Sequence, residues 1–188
     1  PSNEDSVAYL AQMRNQDPLE VVMDTLADGA PLLVMFGRYP GHLEGQRELI
    51  ADPRSVFGLS DGGAHCGVLV DASVPTYMLT YFTRDRKKGP KMTPEFIVHK
   101  MTRDTAELYG LTDRGLVKAG FKADINVIDY DHLALHQPEM VYDLPGGGKR
   151  LVQGAEGYKA TICSGVITYR DGEHTGQLPG KLIRGGKL

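Results

Sequence analysis

Residues 4–14 and 18–28 read as two helices. In the second, Leu19, Val22, Met23 and Leu26 recur at helical spacing and form one stripe predicted to be buried. Asp17 stands at the capping position, Pro18 opens the helix and Gly29 lies just past its end. Leu32-Leu33-Val34-Met35-Phe36 is then a continuous apolar run. Such a run suits a strand covered on both faces of a parallel sheet. A short helix is expected over 43–51. A second apolar run, Ser55-Val56-Phe57-Gly58-Leu59, ends at Ser60-Asp61-Gly62-Gly63. Helices are predicted over 74–82 and 94–109, the latter capped by Thr93, opened by Pro94 and Glu95, and stopped by Gly110. The order is the alternation of an α/β fold, with 32–36 and 54–59 expected as neighbouring parallel strands.

The rhythm changes after Gly110. Val117, Ile125-Asn126-Val127-Ile128, Ala160-Thr161-Ile162-Cys163 and Val166-Ile167-Thr168-Tyr169 read as strands. Ser164-Gly165 and Asp171-Gly172 have the composition of tight hairpin turns. Pro145-Gly146-Gly147-Gly148 reads as a flexible loop. A domain boundary is expected near 111–116, with an antiparallel β unit after it.

Composition narrows the class. The chain is 41% hydrophobic and 24% charged, as in a globular protein rather than a disordered one. A net charge of -3 leaves no basic footprint, so no nucleic-acid partner is expected. The basic run Arg84-Asp85-Arg86-Lys87-Lys88 reads as a solvated loop. No apolar stretch approaches the roughly 20 residues that span a bilayer, so no membrane is expected either. Two distant cysteines, Cys66 and Cys163, form neither a disulfide framework nor a paired-cysteine zinc motif. A cytoplasmic location is the expectation. The chain opens at Pro1 without a methionine, which points to a fragment, a processed product or a trimmed chain.

The chemistry-bearing residues are few. Asp61 sits at the C-terminal end of a predicted buried strand, the edge where α/β folds build their active sites. A carboxylate there can bind a metal or act as a base. It can equally cap a turn through its own oxygens. His65, four residues on, is a candidate ligand or supporting donor, and otherwise a solvated loop histidine. Cys66 beside it reads as a small buried residue. His42 and Arg38 share the loop after the first strand without an evident partner, and His99 falls inside a helix. Arg84 and Arg86 are candidates for gripping a substrate carboxylate, with Arg84 preferred. Gly146-Gly147-Gly148-Lys149 lacks the spacing of a phosphate loop. There is no His-x-His and no His-Glu-x-x-His. The sequence taken alone holds no complete hydrolytic site.

Phe57-Gly58-Leu59-Ser60-Asp61-Gly62-Gly63-Ala64-His65 resembles the last-strand motif of the amidohydrolase superfamily. The resemblance is to the branch of D-aminoacylase and the N-acyl-D-amino-acid deacylases, where Ser-Asp-Gly-x-x-His recurs. Met101 to Leu111 is similar to the helix that follows the barrel. Asp113-Arg114-Gly115-Leu116-Val117-Lys118-Ala119-Gly120, followed by Ala123-Asp124-Ile125-Asn126-Val127-Ile128-Asp129, is similar to the small β domain, and Val166 to Glu173 to its closing hairpin. The likeness spans about residues 17 to 184.

The resemblance implies an α/β fold: the last βα units of a metal-binding (β/α)8 barrel over 1–115, then part of a β-sandwich over 116–188. It implies hydrolysis of a linear amide, with an N-acyl amino acid, of the D series, as the small-molecule substrate. One or two zinc ions would lower the pKa of a bound water toward about 7. Of the family's metal ligands only the aspartate after the last strand maps here, onto Asp61, as ligand and base, and His65 matches a further family position. D-aminoacylase carries an arginine in a Phe-Pro-Arg-like stretch soon after that aspartate, and the corresponding stretch here, Val74 to Arg86, departs from it. Cyclic-amide hydrolysis, ring deamination, or a non-catalytic binding or assembly role are the alternatives. The chain by itself is predicted to be inactive, to bind zinc poorly, and to self-associate or be ordered by the missing N-terminal part.

Overall fold

The computed structural model describes residues 3–29, 43–58, 60 and 65–183. The expected strand at 32–36, Arg38 and His42 lie outside them. The chain divides into two units, Pro1–Pro40 and Gly41–Leu188.

The first unit is described as a helical hairpin. A 3-10 turn over Asn3–Asp5 leads into α1, Val7–Arg14, where Ser6 caps by accepting the Tyr9 N–H at 3.2 Å. Asn15 ends α1 in the left-handed conformation, which a short polar side chain tolerates. Asp17 accepts the Leu19 N–H at 2.8 Å and starts α2, Pro18–Ala27. The predicted burial of the α2 stripe is corrected here: Leu19, Met23 and Leu26 are exposed, and Val21 is the position wholly buried. Among the described residues α2 contacts α1, and a single neighbouring helix covers only one line of side chains.

In the second unit α3 is Glu44–Ala51. The strand expected at 55–59 is absent from its described residues: Ser55–Gly58 run without strand pairing. Its apolar pattern was suited to pairing on both sides, and an extended segment becomes a strand only when a neighbour takes its N–H and C=O groups. Instead the Ser55 hydroxyl donates to Leu49 O at 2.6 Å, and the buried Lys100 ammonium donates to Asp52 O and Ser55 O at 3.1 and 2.6 Å. Helix α4, Val74–Thr80, continues as a π-helical turn over Tyr81–Asp85. The predicted 94–109 helix is α5, Pro94–His99, a π turn over Lys100–Asp104, and α6, Thr105–Leu108. Thr93 caps α5 by accepting the Phe96 N–H.

Every strand pair among the described residues is antiparallel. Strands β1 (Ile125–Ile128), β6 (Tyr158–Cys163), β7 (Val166–Arg170) and β8 (Glu173–His174) form one sheet in the order β1-β6-β7-β8. Two smaller ribbons pair β2 (Ala134–Leu135) with β5 (Ala155–Glu156), and β3 (Glu139–Leu144) with β4 (Gly148–Val152). The predicted turns Ser164-Gly165 and Asp171-Gly172 both have positive φ at each residue, as tight hairpins need. The Pro145–Gly147 stretch is a 3-10 turn closing the β3–β4 hairpin. Val117 is exposed and unpaired.

One core joins helices to strands. Met78, Leu79, Phe82 and Ile97 pack with Leu133, and Ile128, Tyr130 and Tyr158 complete it from the β side. Hydroxyl pairs cross the same seam, Thr76 with Tyr158 at 2.8 Å and Thr83 with Tyr130. Gly157 is a required glycine: its φ is +97°, and a Cβ there would lie 2.7 Å from the Leu133 Cα.

Candidate functional site

Asp61, with Gly62, Gly63 and Ala64, lies outside the described residues. The chain on either side of it is placed. Before it, Lys100 anchors the Asp52 to Ser55 bend, with its ammonium 3.8 Å from Asp104. After it, His65 holds a left-handed backbone conformation with φ of 52°, and its side chain is exposed. Its carbonyl accepts the Val68 and Leu69 N–H groups at 2.8 and 2.9 Å, closing a tight turn. Histidine enters that region more readily than most residues. Cys66 is half-buried, and its carbonyl accepts the Leu151 N–H at 2.6 Å. The loop that follows Asp61 is therefore fastened to β4.

The two arginines singled out from sequence have different surroundings. Arg84 has five donor contacts: to both oxygens of Asp85, and to the carbonyls of Tyr130, Asp131 and Leu133. Its guanidinium also lies 5.6 Å from the Tyr130 ring. Its hydrogen bond to the Asp85 carboxylate raises its pKa above the usual value. All five N–H groups of the guanidinium are thus engaged, three of them holding the turn that carries Leu133 into the core.

Arg86 is buried, with its side chain wholly covered. Its Nη2 donates to Glu44 Oε2, while Nε and Nη1 have no hydrogen-bond partner among the described residues. Its guanidinium is 5.9 Å from the Phe82 ring. Glu44 also accepts from Arg47 at 2.7 Å, and that bond is the main cause holding its carboxyl below the ordinary 4.5. Neither Glu44 nor its part beside Arg86 was legible in the sequence. It lies 42 residues upstream of Arg86, and no local motif links them.

A catalytic zinc takes three protein ligands and keeps one position open. Among the described residues no three His, Cys, Asp or Glu side chains converge. The carboxylate–imidazole contacts among the described residues, His99 with Asp104 and His132 with Asp129 at 3.0 Å and His136 with Glu156 at 4.0 Å, are at the surface. The described residues do not by themselves fit a zinc site. No described helix is long and apolar enough to cross a membrane.

Comparison with known proteins bears on the segment between these anchors. No curated protein and no solved structure matches the chain. The model of the Amidohydrolase family matches residues 3–169, across both the helical part and most of the strands. That match takes in Asp61, both anchoring segments and the seam with the β strands, so the chain belongs to the amidohydrolase family, whose members are in general metal-dependent hydrolases.

Proposed function

We propose that this chain is the C-terminal part of an enzyme that hydrolyses linear amides, with N-acyl-D-amino acids as the substrate class. The observation that carries the reading is the run Ser60-Asp61-Gly62-Gly63-Ala64-His65 inside a family match over residues 3–169. In this reading Asp61 takes a proton from the attacking water as oxygen bonds to the carbonyl carbon. It returns that proton to the nitrogen as the carbon–nitrogen bond breaks. His65 is proposed as an accompanying site residue. Zinc, one or two ions, belongs to the complete enzyme in this proposal.

The test uses the complete enzyme. Asp61→Asn is expected to leave the circular dichroism spectrum unchanged and to lower turnover by about a hundredfold or more, the scale for loss of a general base. Turnover on N-acyl-D-amino acids is expected to exceed that on cyclic amides and on the L series. Near-normal turnover by the Asn variant would return Asp61 to a turn-capping role. A preference for cyclic amides would retire the deacylase reading while leaving the family intact.

A further inference from the structure

We infer that Arg86 is the centre of a carboxylate-binding site, and that Glu44 occupies this site from within the chain. Three observations meet there. First, the Arg86 side chain is fully covered, yet only Nη2 has a partner, and Nε and Nη1 are buried without one among the described residues. A guanidinium presents its N–H groups as a planar fork that matches the two oxygens of a carboxylate. Here the fork is fixed over the Phe82 ring and only one tine is used.

Second, Glu44 does not depend on Arg86. One of its oxygens is held by Arg47, through Nε at 2.7 Å and Nη2 at 2.6 Å, and only the other turns to Arg86. Its side chain is partly exposed, whereas that of Arg86 is covered. Two guanidiniums share one carboxylate, so the group carries a surplus positive charge. Lys87 and Lys88 follow on the surface, and the first turn of α3 adds its own partial positive charge.

Third, the backbone at Gly89 comes up directly against the fork, where only a glycine fits. Gly89 has φ of +75°, and a Cβ there would collide with Arg86 Nη2 and lie 2.8 Å from Glu44 Oε2. Any side chain at 89 would fill the place where the carboxylate sits. A ligand carboxylate would displace Glu44 onto Arg47 and take Nη2 together with the unpartnered Nε. The ligand is either a free small carboxylic acid or the α-carboxylate of an N-acyl amino acid. The site stands on the geometry, and the second source alone rests on the proposed deacylase reading.

Isothermal titration of the whole chain separates these cases, with acetate, N-acetyl-D-alanine and N-acetyl-D-alanine amide as probes. Both carboxylates are expected to bind and the amide is not. Glu44→Gln removes the internal competitor and is expected to tighten carboxylate binding several-fold. Arg86→Met is expected to weaken it by about tenfold or more, the scale of losing a charged hydrogen-bonding partner. Should that variant fail to fold, Arg86→Lys keeps the charge without the fork and is expected to show a similar loss. Acetate binding without N-acetyl-D-alanine binding supports the site and assigns it to free acids. Tighter N-acetyl-D-alanine binding supports it and assigns it to the substrate, whether or not the chain shows turnover. No carboxylate binding by the unaltered chain, equal binding by the Arg86→Lys form, or weaker binding by Glu44→Gln overturns the inference.

Discussion

Arg84 and Arg86, two residues apart, differ in what their neighbours ask of them. Arg84 ties three carbonyls of the 130–133 turn, so Arg84→Met is expected to lower stability by about 2 kcal/mol or more. Chemical denaturation of the variant, with unaltered carboxylate binding at Arg86, checks this. From sequence both read as surface charges or substrate grips, and the difference depends on partners 42 to 49 residues away. At the surface, His132 is raised by its hydrogen bond to Asp129, and Asp129 is lowered by the same bond. The raised His132 stabilises below its ordinary 6.5, and that contribution is lost as pH climbs through its folded value. The lowered Asp129 stabilises above its ordinary 3.8, and that contribution is lost as pH falls through its folded value. Thermal melts are therefore expected to show a small gain between these limits that His132→Gln removes. A gain of equal size in the variant would assign it elsewhere.

Among elements, the helices after Asp17 and Thr93 were legible to within a few residues, because these caps act through their immediate neighbours. The hairpins at Ser164-Gly165 and Asp171-Gly172 were legible for the same reason: a tight turn is encoded in the two residues that form it. Residues 55–58 are not a strand among the described residues, since an apolar run states what a segment would bury and not how it pairs; the run 32–36 expected beside it lies outside them. The α2 stripe failed likewise. Short ribbons such as β2 with β5 left no periodic signal, since two residues hold no period. Asp61 was singled out by motif and lies outside the described residues, and the placement of the chain on either side of it by Lys100 and Leu151 was not legible, since both act from far along the sequence. Gly157 gives a test at this scale. Gly157→Ala forces a Cβ against the Leu133 backbone at positive φ and is expected to cost roughly 2 kcal/mol or more. A melting temperature within a degree of the unaltered chain would show that the β2–β5 ribbon gives way easily.

The molecule as described leaves much apolar surface uncovered. Strands β1 and β8 each have one strand neighbour among the described residues, and the Leu19, Met23 and Leu26 stripe faces outward. Open edges and exposed stripes favour association. We expect the isolated 188-residue chain to sediment as more than a monomer at high concentration and to hydrolyse no amide unaided. A well-behaved monomer would count against the open-edge argument, and deacylation with tight stoichiometric zinc would count against the second expectation.

The bond from the Leu151 amide to the Cys66 carbonyl turns β4 into a reporter. That proton is released for exchange when the loop beyond Asp61 lifts from the strand, so its exchange time reports on loop opening. An isotope-labelled sample thus carries a built-in clock for this loop. The clock is read at a residue that need touch neither metal nor substrate, and anything that steadies the Asp61 segment is expected to slow it.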